Sequence, residues 1–120
     1  MKVHSQYDAS APFDGNVEYG MASAYTLVQA LEAAGKNLTR QGLIDAINQH
    51  GASWTGPGLV PFRYSTSDHG GFSGAEIGMV KSGKIVLTGG PLTTTPATGS
   101  PITPFTGTQA PPPANGIPTS

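Results

Sequence analysis

Residues 16–51 read NVEYGMASAYTLVQALEAAGKNLTRQGLIDAINQHG, and how this stretch folds decides what the rest of the chain must do. Val17, Met21, Ala24, Val28 and Leu31 recur at steps of four, three, four and three, which lays an apolar stripe along one face of a helix. Leu27, Ala30 and Ala34 widen it. Gly35 stands where a left-handed cap ends a helix, and Thr39 stands where a side-chain oxygen starts the next one. The second helix, about residues 40 to 50, carries Leu43, Ile44, Ala46 and Ile47 and closes at His50-Gly51. Asp14 or Asn16 caps the first helix, and Glu18 lies in its first turn, where the helix dipole favours an anion.

Outward from the helix pair, the composition thins. The chain has 120 residues, six basic against seven acidic, a net charge of −1 and no cysteine. That balance offers no basic field for nucleic acid or an anionic membrane. Without cysteine there is no disulfide, thiolate metal site or cysteine nucleophile. No apolar run follows the first six residues as a signal peptide requires, and no run is long enough to span a membrane. Residues 1 to 15 read as an irregular lead-in, with a turn at Asp14-Gly15.

After the helices, Trp54 sits in a bend ending at Pro57-Gly58. Residues 59 to 64, Leu-Val-Pro-Phe-Arg-Tyr, read as a strand that Pro61 confines to an edge or interrupts. Residues 75 to 80 and 84 to 87 read as a hairpin turning at Lys81-Ser82-Gly83. Every charge lies at or before Lys84, whereas eight of the eleven prolines lie at or after Pro91. Residues 91 to 120 therefore read as a disordered Pro/Thr-rich tail, a solvated linker or a docking peptide for a proline-binding partner. The segment expected to be ordered, residues 16 to 90, is short enough that core burial is marginal.

Chemistry-bearing residues are sparse. Ser65, Ser67, Asp68 and His69 supply the atoms of a hydrolase triad but stand side by side in a turn, where neighbouring side chains point apart. His4, His50, His69, Asp68 and Glu76 lack metal-ligand spacing. Residues 70 to 74, Gly-Gly-Phe-Ser-Gly, lead into a strand rather than a helix, so they make a poor phosphate cradle. Asn37-Leu38-Thr39 matches a glycosylation acceptor, although Thr39 is already explained as a cap. No enzyme and no cofactor is expected.

The order of elements resembles a known family. Residues 16–35, Asn16-Val17-Glu18-Tyr19-Gly20 through to Ala34-Gly35, resemble the penultimate helix of type I periplasmic binding proteins of the branched-chain amino acid (leucine-binding) class. Leu38-Thr39-Arg40-Gln41-Gly42-Leu43-Ile44 resembles their last long helix. Gly58-Leu59-Val60-Pro61-Phe62-Arg63-Tyr64, Asp68-His69 and Ile77-Gly78-Met79-Val80-Lys81-Ser82-Gly83-Lys84-Ile85-Val86 resemble their closing strand, turn and hairpin. The resemblance covers about residues 7 to 88.

It implies an α/β fold, the C-terminal part of a two-lobed receptor in which two helices precede an edge strand and a hairpin. The implied function is capture of a branched-chain amino acid or amide for an ABC permease, at the periplasmic or extracellular face of the membrane. The export signal and first lobe would lie in preceding sequence, and this segment alone would bind weakly or not at all. The implied ligand contacts fall at Asn16, Glu18 and Tyr19. The rival expectation is a small interaction module that self-associates through the helix stripe and has no transport role. A small hydrolase using Asp68 and His69 is a distant third.

Overall fold

The computed structural model describes residues 2–36, 38–95 and 99–118. Asn37, the acceptor of the glycosylation motif, lies outside them. Three helices lead the chain: α1, Lys2–Tyr7; α2, Gly15–Ala34; and α3, Arg40–His50. A single 3-10 turn, Gly51–Ser53, continues α3. Three strands follow: β1, Gly74–Lys81; β2, Lys84–Thr93; and β3, Thr103–Pro104. They form one antiparallel sheet in the order β1-β2-β3. The architecture is thus α/β in the general sense, helices beside a small antiparallel sheet.

The helix pair forms as its caps dictate. Asp14, with extended backbone, accepts the N–H groups of Asn16 and Val17 at 3.0 Å each. Gly35, at φ 55°, turns its N–H back to the carbonyls of Leu31 and Glu32. Thr39 accepts the N–H of Gly42 at 3.0 Å. α2 and α3 pack on each other, and small side chains sit deepest, Ala30 at 2% exposed and Ala46 at 5%. Gln29, also buried, donates from Nε2 to the Thr55 carbonyl at 2.9 Å. That bond ties the Trp54 bend to the middle of α2.

A second centre of packing is aromatic. Trp54 stacks on Phe62 with centroids 5.8 Å apart, Phe62 on Tyr64 at 6.1 Å, and Tyr64 on His69 at 4.7 Å. Phe72 meets Phe62 edge-on at 5.1 Å. Arg63 fastens the ladder from behind: it pairs with Asp68 at 3.8 Å and donates to Ser73 Oγ at 3.0 Å and to the Thr94 carbonyl. Charge-assisted bonds from one guanidinium thereby join the loop to the end of β2.

Several expectations from sequence are corrected. Residues 2 to 7 are helical, not irregular, and His4 meets Phe13 edge-on at 5.2 Å. Residues 59 to 64 form no strand: Pro61 removes a donor, and pairing is reduced to one isolated bridge between Arg63 and Gly71. The hairpin outruns its expected ends. Its turn is two residues, Ser82-Gly83, both at positive φ, as a type I′ connection needs. Between the pairs Ala75↔Leu92 and Ile77↔Thr88, β1 holds Glu76 alone while β2 holds Gly89, Gly90 and Pro91. This bulge accommodates the proline, and both glycines sit at positive φ.

The described tail is also placed rather than disordered. Thr103–Pro104 pairs with Leu92 and Thr93, and the Phe105 N–H donates to the Pro91 carbonyl at 2.9 Å. Prolines lock φ in advance, so a chain rich in them loses less entropy when it lies along a surface.

Burial remains thin overall. The chain exposes 8317 Å², against roughly 6,100 Å² for a compact monomer of its mass. Its radius of gyration is 16.1 Å, where about 14 Å would be typical of 120 residues packed into one domain. The excess is visible on α2, where Leu27 is 53% exposed and Val28 and Leu31 are only partly covered. It is visible again on the hairpin, whose Ile77, Val80, Ile85 and Leu87 are all exposed.

Candidate functional site

A concavity of about 710 Å³ runs along α2 toward its N-terminal end. Met21, Tyr25 and Val28 of α2 line it together with Val3, Phe13 and, from the tail, Pro113 and Ile117. Among the described residues, Glu18 is the only carboxylate in the lining. Burial raises the Tyr25 phenol above its ordinary pKa, and the Glu32 carboxylate adds to the shift. The phenol is therefore a neutral donor throughout the physiological range. An apolar lining with one carboxylate suits a ligand or segment that is largely apolar.

The residues implied by the resemblance are spread around this helix end. Glu18 lines the groove. Tyr19 is 75% exposed and outside the lining, because successive helical residues point about 100° apart. Asn16 is exposed, and its N–H is held by Asp14 Oδ1. Asp14 thus supplies from within the chain the negative partner that the first amides of α2 want.

A second cleft of about 410 Å³ opens between α2 and the end of α3, lined by Gln29, Glu32, His50, Ser53 and Trp54. Ser53 Oγ donates to the His50 carbonyl at 2.8 Å, closing the 3-10 turn. In the Ser65 to His69 turn, Ser65 Oγ accepts the N–H groups of Ser67 and Asp68. Asp68 Oδ1 accepts the Gly70 N–H at 2.8 Å, while Oδ2 faces Arg63. His69 stacks on Tyr64. These polar atoms shape the turn itself. Among the described residues, no three His, Asp or Glu side chains cluster closely enough to hold a metal ion, and no helix is long and apolar enough to cross a membrane.

Sequence reasoning missed Tyr25, Gln29 and the tail residues that line the groove. The spacing of Met21, Tyr25 and Val28 does follow a helical face, so that part of the lining was legible in principle. Pro113 and Ile117 carry no local signal that would have placed them there. No known family, characterised protein or solved structure matches the chain.

Proposed function

We propose that the chain is the closing segment of a solute receptor for an ABC importer, taking branched-chain amino acids or related amides. The observation that carries this reading is the excess of exposed surface, roughly 2,200 Å² beyond a compact monomer. That excess is more than the roughly 800 Å² that one partner buries in a standard protein–protein interface. Part of it lies on α2 and on the hairpin, the two elements that a two-lobed receptor would cover with its own sheet and first lobe. The capped helix pair followed by a hairpin supports the same reading.

In this receptor the ligand closes between lobes, and this segment offers the first turn of α2, with Asn16, Glu18 and Tyr19, to the pocket. The work is capture and delivery to the permease outside the cytoplasmic membrane, without bond chemistry. Alone, the segment lacks the other half of the pocket and binds leucine only weakly. The test is calorimetry with leucine, isoleucine, valine and short aliphatic amides on the product of the whole reading frame that encodes this segment, and on the segment alone. Micromolar binding by the whole product and none by the segment is expected. Micromolar leucine affinity in the segment alone would sink the proposal, as would a reading frame that encodes no first lobe.

The same exposed faces favour one rival, a small self-associating module without a transport role. Sedimentation at several concentrations separates the two: stable homodimers of the whole product that ignore amino acids would favour the module.

A further inference from the structure

Residues 112–118 fold back to α2 and line the same groove with it. From the β2–β3 pairing the chain passes Gln109, whose Nε2 donates to the Gly58 carbonyl at 3.4 Å. It then makes a turn in which the Gly116 N–H donates to the Pro113 carbonyl at 2.8 Å and the Ile117 N–H to Asn115 Oδ1 at 3.0 Å. Gly116, at φ 74°, lies directly on Val3 of α1: a β-carbon there would overlap the valine Cγ2. Pro118 is buried. Pro113 and Ile117 line the same groove as Met21 and Val28.

We infer that residues 112–118 are a displaceable intramolecular strap over the apolar face of α2, held by the seat of Gly116 on Val3. The segment forms part of the groove's own lining, so two distant parts of this same chain build it. Three consecutive prolines stiffen the approach, so little entropy is lost when the strap lies down. The hold is nevertheless light. Among the described residues, one long side-chain bond, from Gln109, ties the approach to the body, and the groove that the strap helps to line keeps about 710 Å³ open. A segment in which every residue but Pro118 is at least partly exposed opens at a small fraction of the global unfolding free energy. When it lifts, Met21 joins the already exposed Leu27, Val28 and Leu31 as one apolar face. The strap therefore controls how much sticky surface the chain shows, whatever the α2 face finally packs against.

The chain has no cysteine, so Val28→Cys with Ile117→Cys gives a unique pair of labelling sites. Both positions are partly exposed. Spin labels there should report a short, narrow distance population that is unchanged by tenfold dilution. A long, broad distribution would overturn the strap. So would a short population that vanishes on dilution, since that would place the segment on a second copy. Adding Gly116→Val to the labelled chain should abolish most of the short population and increase dye binding to exposed apolar surface several-fold. An unchanged distance distribution in a folded Gly116→Val chain also contradicts the inference. Should that variant fail to fold, the labelled pair in the natural background still decides.

Discussion

Gly51 lies against Tyr64: a β-carbon at Gly51 would stand 3.0 Å from the Tyr64 Cβ and 3.2 Å from its carbonyl oxygen. This glycine follows α3 at φ −56°, inside the right-handed region, so no left-handed turn requires it. It is there because the aromatic ladder passes too close for a side chain. Gly51→Ala gains up to about 1 kcal/mol in helical propensity but pushes against backbone as well as side chain, a clash worth about 1–3 kcal/mol. Net destabilisation is expected, read as a lower urea midpoint at unchanged slope. A raised midpoint would mean that the ladder moves away freely.

Thr39→Ala should cost about 1 kcal/mol, because it removes the acceptor for the Gly42 N–H and leaves the first turn of α3 uncapped. Asp14→Ala should cost a similar amount at the start of α2, where two N–H groups share Oδ1. Asp14→Asn keeps an oxygen acceptor and should recover most of the loss. Helicity by circular dichroism and thermal melts of the three variants test the order.

The hairpin turn allows a prediction of opposite sign. Ser82 is the one residue other than glycine at positive φ among the described residues, at 50°. Asparagine tolerates that conformation better and is favoured in type I′ turns, so Ser82→Asn should stabilise by a few tenths of a kcal/mol. Gly83→Ala, at φ 74°, should destabilise by about 1 kcal/mol. Amide exchange across the β1–β2 ladder should slow in the first variant and quicken in the second.

Tyr25 sets an alkaline limit. Burial, with the Glu32 carboxylate adding to it, raises the phenol's pKa above that of an ordinary tyrosine. A group whose folded pKa is raised supports the fold fully below its unfolded pKa and loses that support as pH climbs through the folded value. Stability should therefore fall above about pH 10, the ordinary pKa of an unfolded tyrosine. Tyr25→Phe should flatten that fall; an identical alkaline slope in the variant would show that other groups govern it.

What could be read from the chain was the part whose causes are local. Asp14, Gly35 and Thr39 act within one helical turn of themselves, so their spacing alone placed the two long helices. Ser82-Gly83 likewise announced the hairpin within a residue or two. The strand expected at residues 59 to 64 failed for a reason that is only half local. Pro61 weakened it, and what took its place was an aromatic ladder whose partners, Trp54 and Phe72, come from outside the run.

The groove belongs to the second kind entirely. Helical periodicity put Met21 and Val28 on one stripe, and nothing in their neighbourhood said what would lie across them. Composition argued that a Pro/Thr-rich tail stays in solvent. The structure instead returns it to α2, because pre-set proline dihedrals make docking cheap in entropy and Gly116 leaves room for Val3. Sequence by itself determined the helices, their caps and the turn, since these depend on contacts a few residues apart. Only the tertiary structure decided which apolar face is covered and which stays bare. That depends on residues roughly ninety positions apart meeting in space, and no local pattern encodes it.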